Sequence, residues 1–226
     1  AETFFADLAK RCYPEAIARQ MAAVHSELDL MGYRWVNGNG QTECGAFSWG
    51  PGPPEKVKQL QQIRQRVAAL LPKAGASLPR VQWVLDRIDW VLAFQQAEEG
   101  AVAARDLLAK AQSAKPDDAK KLAADALARL DDGSMARALQ AYARRVTTRG
   151  EYGVLATINT KAVVAWRDLR GQCGRVLGQT VAEPSDVDVA APLFILPRLY
   201  GSVPAGCDLQ LEAAVRVVGS APMLVS

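Results

Sequence analysis

Residues 78–114 read LPRVQWVLDRIDWVLAFQQAEEGAVAARDLLAKAQSA. Val81, Val84, Leu85, Ile88, Val91 and Leu92 recur at helical spacing and form one apolar stripe, while Trp83, Trp90 and Phe94 form a second. A helix apolar on two faces can satisfy both only when other helices cover it, so this segment reads as the centre of a helical bundle. The pattern runs to about Ala114, with an Ala-rich, weakly amphipathic second half from residue 101.

The same period extends to both sides. Residues 3–12 place Phe4, Phe5, Leu8 and Ala9 on one face, with Thr3 as the N-cap. Pro14 restarts the pattern at a position helices allow, and Ile17, Met21, Val24, Leu28 and Met31 continue it as far as Gly32. A further helix starts at Pro53–Pro54, with Val57, Leu60, Ile63, Val67 and Leu70 on one face, and KAGAS breaks it before Leu78. Beyond the central segment, Pro116-Asp117-Asp118 opens a helix with acids at the positive end of its dipole, and Asp132-Gly133 closes it. Ser134 caps the next, which carries Met135, Leu139, Tyr142 and Val146; Gly150 and Gly153 interrupt. The period then resumes from Leu155 through Trp166 and Leu169 to about Val176. Short loops between such helices predict a mainly α fold, an antiparallel helical bundle over residues 1–177.

The texture changes at Gly178. Residues 178–191 read as a linker, and residues 192–226 as strands of a partial β-sandwich, with Leu209, Leu211, Ala213, Val215 and Val217 alternating. The predicted fold therefore ends in a short C-terminal β segment. Two or three strands are too few to stand alone, and an apolar strand at a chain end leaves an unpaired edge, so the chain reads as a fragment of a longer protein.

Composition excludes several classes of function. The 226 residues are 50% hydrophobic and 23% charged, with 27 basic and 24 acidic side chains for a net charge of +3. That balance excludes intrinsic disorder, and it gives no case for nucleic acid as a partner. No window approaches the roughly 18 uninterrupted apolar residues of a membrane span. The single histidine, His25, makes a histidine-rich metal site or a Ser-His-Asp triad hard to build, and it reads as a surface or hydrogen-bonded core residue. Cys12, Cys44, Cys173 and Cys207 are too dispersed for zinc and read as free buried thiols, with one disulfide as the alternative in an exported protein. No cofactor is called for. NGNGQ at 37–41 lacks the following helix start and the Lys-Ser/Thr pair of a phosphate loop.

Three groups of residues carry candidate chemistry. Residues 33–50 combine Tyr33, Trp35, Phe47 and Trp49 with Asn37, Asn39, Gln41 and Glu43, among Gly and Pro residues that can hold an irregular loop. Aromatic faces stack on sugar C–H groups, and planar amides and carboxylates take directional hydrogen bonds from hydroxyls. Trp35, Gln41, Glu43 and Trp49 are therefore candidate substrate-binding residues; the alternative is a loop whose aromatics plug the core. Asp86 and Asp89 sit at i, i+3 on the Trp-rich helix and read as ion-pair partners of Arg80 or Arg87 rather than an acid–base couple. RRVTTRGEYG at 144–153 is a poor helix interior, and Arg149 and Glu151 either reach a neighbouring domain, as further candidate substrate-binding residues, or ion-pair locally.

FFADLAKRCYPEAIARQMAAV, WVLDRIDWVLAFQQAEE and TRGEYGVLATINTKAVVAWRDL, at residues 4–24, 83–99 and 148–169, resemble the helices that follow the catalytic barrel in large bacterial glycoside hydrolases. LQLEAAVRVVG resembles the opening of the β-sandwich that frequently follows them. The resemblance is one of layout and matches no catalytic motif. It implies a non-catalytic accessory region that supports a barrel upstream of Ala1. It also implies an isolated chain that hydrolyses no glycoside, and secretion or export to the periplasm. The upstream catalytic domain and an oligosaccharide are then the expected partners. The alternative is an independent helical protein-interaction module.

Overall fold

A computed structural model of the chain describes residues 2–31, 50–146, 154–155 and 157–182. These residues are mainly helical, and no strand occurs among them. The linker beyond Ala182 and the strands at 192–226 lie outside the described residues.

The helices are α1 (Glu2–Cys12), α2 (Glu15–Leu30), α3 (Pro54–Leu70), α4 (Leu78–Ala111), α5 (Pro116–Leu130), α6 (Ser134–Arg145) and α7 (Val164–Leu177). Two 3₁₀ turns, Leu71–Lys73 and Gly75–Ser77, join α3 to α4, and a π-helical turn, Asn159–Val163, leads into α7. Thr3 lies inside α1 instead of capping it. The central helix stops at Ala111, about one turn short of its sequence pattern.

At 34 residues and 1.5 Å per residue, α4 is about 50 Å long. It packs most heavily on α6 and α5, then on α3 and α7. Both predicted stripes are covered: Val81, Val84, Ile88, Trp90, Val91 and Phe94 are buried, although Trp83 stays half-exposed. Trp90 stacks on Phe94 at 5.8 Å and meets Tyr142 of α6 edge-on at 5.1 Å. The indole Nε1 of Trp90 is buried without a hydrogen-bond partner among the described residues. Farther along, Ala97, Ala101 and Ala104 face Ala123 and Ala126 of α5 within one core. Gly100 is required here: a Cβ on it would sit 2.7 Å from the backbone oxygen of Arg129.

Chain reversals follow local chemistry. Gly133 turns the chain at φ 78°, a conformation other residues rarely adopt. Asp132 Oδ1, and not the hydroxyl of Ser134, satisfies the first backbone donor of α6, accepting from Ser134 N–H at 2.8 Å. The C-terminus of α5 is completed by α7. Trp166 Nε1 donates to the Leu130 carbonyl at 3.1 Å. Arg170, 4% exposed, makes a forked pair with Asp131 at 2.7 and 3.0 Å and bonds the Ala182 carbonyl at 2.8 Å. Its guanidinium lies over the Trp166 ring at 4.7 Å.

At the other end, α1 packs chiefly on α2. His25 is a hydrogen-bonded, partly buried residue: its Nε2 is 2.9 Å from Tyr13 Oη, and its ring stacks on Phe5. Burial, then the nearby Arg87, hold its pKa below the ordinary value. Cys12 and Cys173 are free thiols, while Cys44 and Cys207 lie outside the described residues.

Candidate functional site

Helical spacing places polar side chains on three facing surfaces. On α3 they are Gln61 and Arg64, one turn apart along the Val57 face; on α6, Arg137, Gln140 and Arg144; on α4, Asp89, Gln96 and Glu99. Together with Leu92, Ala93, Gln95 and Ala141 they line an open groove of about 670 Å³. The apolar residues and Gln95 form its floor, and the charged and amide groups form its rims. Three guanidiniums face two carboxylates, those of Asp89 and Glu99.

The arginines are engaged to different extents. Arg64 forms a forked pair with Asp89. Arg137 bonds the Asp132 carbonyl at 3.0 Å and Gln96 Oε1 at 3.2 Å, and Gln96 in turn donates to Asp132 Oδ2. Among the described residues Arg144 makes a single bond, from Nε to Asp86 Oδ1 at 3.4 Å, and its side chain is about half exposed. Asp86 and Asp89 are therefore ion-pair residues, as the sequence indicates, but their partners come from α6 and α3. Arg80 instead donates to the Cys12 carbonyl, and Arg87 lies over Trp83. The side chains of Gln61 and Gln140 are exposed and make no hydrogen bond among the described residues.

Beneath the groove, α4 presents two buried polar groups. Gln95 Oε1 accepts the Gly52 N–H at 2.9 Å, and Glu98 Oε1 accepts the Gly50 N–H at 3.3 Å. Glu98 is 1% exposed, and burial pushes its pKa from 4.5 up to about 8. The Gly50 N–H pulls that value down slightly and the neighbouring Glu99 raises it. At neutral pH the Glu98 carboxyl is mostly protonated. The segment entering α3 is thus pinned to α4 by backbone donors.

A second cavity, about 380 Å³, is mostly apolar and lies between α1, α2 and the start of α4, lined by Leu8, Tyr13, His25, Trp83 and Val84. Among the described residues, no group of His, Cys, Asp and Glu can hold a metal ion, and no helix is long and apolar enough to cross a membrane.

Trp35, Gln41, Glu43, Trp49, Arg149 and Glu151 all lie outside the described residues. Of the described residues near them in the chain, Gly50 and Gly52 bond Glu98 and Gln95, and Arg144 bonds Asp86, about two to three turns from those two on the same helix. Apart from Asp89 and Arg144, the groove residues are not marked out by the sequence pattern, although one signal was available. Val84, Ile88, Val91, Gln95 and Glu98 form one continuous helical stripe, so Gln95 and Glu98 are polar groups where the period demands apolar ones. No protein-family model, curated protein or solved structure matches the chain.

Proposed function

We propose that this chain is a non-catalytic helical accessory region of a carbohydrate-active enzyme of the glycoside hydrolase kind. In this reading an antiparallel helical bundle, followed by a short β segment, supports a catalytic barrel carried elsewhere in the same polypeptide. The groove between α3, α4 and α6 contributes to holding an oligosaccharide. The supporting observation is the groove itself: amides, guanidiniums and carboxylates from three helices share one open trough, which suits a ligand rich in hydroxyls.

Titration of the purified chain with a panel of neutral and acidic oligosaccharides tests the reading by calorimetry. Saturable binding is expected. Gln61→Ala, which removes an exposed amide with no internal partner, should weaken it about fivefold, the worth of about one net hydrogen bond. Trp35→Ala and Trp49→Ala should weaken it about tenfold if those rings stack on sugar. A large fall in melting temperature in both Trp variants, with binding by the folded fraction unchanged, would make them core residues. Absence of binding across the panel would remove the groove from the proposal.

A second reading, an independent helical protein-interaction module, is favoured by the apolar cavity at α1 and by Phe4 and Leu78, which are 64% and 46% exposed. An in-frame barrel with carboxylates at its strand ends, encoded upstream, would decide for the first reading.

A further inference from the structure

We propose that the groove is selective for acidic oligosaccharides, with a sugar carboxylate seated on the guanidinium of Arg144. This rests on the carbohydrate reading above and adds the charge class of the ligand.

The argument begins with the pattern of satisfied and unsatisfied groups. Three guanidiniums line the groove, and its two carboxylates are those of Asp89 and Glu99. Asp89 is consumed by the forked pair with Arg64. Arg137 is held at one end by Asp132 and Gln96. Arg144 touches Asp86 through Nε alone, so its two terminal nitrogens have no partner among the described residues. Those two nitrogens form the planar fork that binds a carboxylate through two parallel hydrogen bonds.

Gln140 and Gln61 flank that fork on α6 and α3 without internal hydrogen bonds, and a terminal amide can both donate to and accept from a sugar hydroxyl. Arg137 and Arg144 stand two helical turns apart on one face, about 10 Å by the helical rise, so two guanidiniums are spaced along the trough, Arg144 beside Asp86 and Arg137 beside Asp132. A cavity of about 670 Å³ accommodates a short oligosaccharide. The floor and rims expose no aromatic ring among the described residues, so recognition here falls to charge and hydrogen bonds.

The test compares uronic-acid oligosaccharides with neutral oligosaccharides of the same length, and with sodium sulfate and sodium acetate as free anions. The purified chain is titrated at low and at moderate ionic strength. The expected result is at least tenfold tighter binding of the uronate oligosaccharides at low salt, with the preference shrinking as salt rises. Arg144→Gln should abolish the preference, and Arg144→Lys should restore only part of it, because an ammonium lacks the fork.

Arg144→Gln also leaves Asp86 with Gln82 alone, so a second variant guards against a folding defect. Gln140→Glu changes an exposed side chain that has no internal bond, and it should weaken uronate binding more than neutral binding. Equal affinity for acidic and neutral sugars, unaffected by either variant, would overturn the charge selectivity and leave the carbohydrate reading standing. Binding of neither sugar class would overturn the charge selectivity and the groove's part in the carbohydrate reading. Binding of the free anions alone would also overturn the proposal.

Discussion

Glu98→Gln is expected to raise stability at pH 8 and above while changing little near pH 4.5. The folded-state pKa of Glu98 is pushed up to about 8, from 4.5, chiefly by burial. Between those two values the folded chain binds a proton that the unfolded chain has released, so stability from this group falls as pH rises through the window. It is fully present below about 4.5 and lost above about 8. A shift of that size corresponds to a difference on the order of 5 kcal/mol at the alkaline end. Glutamine keeps the Oε1 that accepts the Gly50 N–H and cannot ionise. Thermal melts of both proteins from pH 4.5 to 9 should diverge steadily, by roughly 10 °C at the top of the range. Parallel curves would show that Glu98 titrates as an ordinary exposed carboxylate.

Trp90→Ala carries the second large effect. The ring is 2% exposed and sits between Phe94 and Tyr142, where α4 meets α6. Truncation removes one of the two largest buried side chains among the described residues and leaves a cavity that helices can close only in part, at a cost of about 3–5 kcal/mol. Trp90→Phe should be far milder, about 1–2 kcal/mol, because no hydrogen bond is lost: Nε1 has no partner among the described residues to leave stranded. Urea titrations of the two variants measure both quantities. A Trp90→Ala protein within about 1 kcal/mol of the parent would mean that the site is not close-packed.

The helices were legible in the sequence because their signal is local. Val81 to Leu92 repeat with the helical period, Pro54 and Pro116 sit where helices begin, and Gly133 and Gly178 supply the positive φ that ends them. The groove was not legible, for an equally physical reason. Arg64 and Asp89 are 25 residues apart, and Asp86 and Arg144 are 58 apart. Nothing in the neighbourhood of Asp86 distinguishes Arg80, Arg87 and Arg144 as partners; only the packing of α6 on α4 selects the last. Gln95 and Glu98 were readable in principle as polar breaks in an apolar stripe. Their role in holding Gly50 and Gly52 still depends on a segment more than 40 residues earlier.

The attachment of α1 has a consequence for how the molecule opens. α4 shares its surface with four other helices, so exposing it requires most of the core to separate. α1 leans chiefly on α2 and is held to α4 by the Arg80 bond to the Cys12 carbonyl. Cooperative units with few partners open at a free energy well below that of global unfolding. Amide hydrogens of α1 should accordingly exchange with solvent long before those of α4, in excursions that leave the rest of the fold closed. Each such excursion bares the ring of His25 and the apolar wall of Trp83 and Val84, so this end of the molecule has a second, transient surface absent from its closed form.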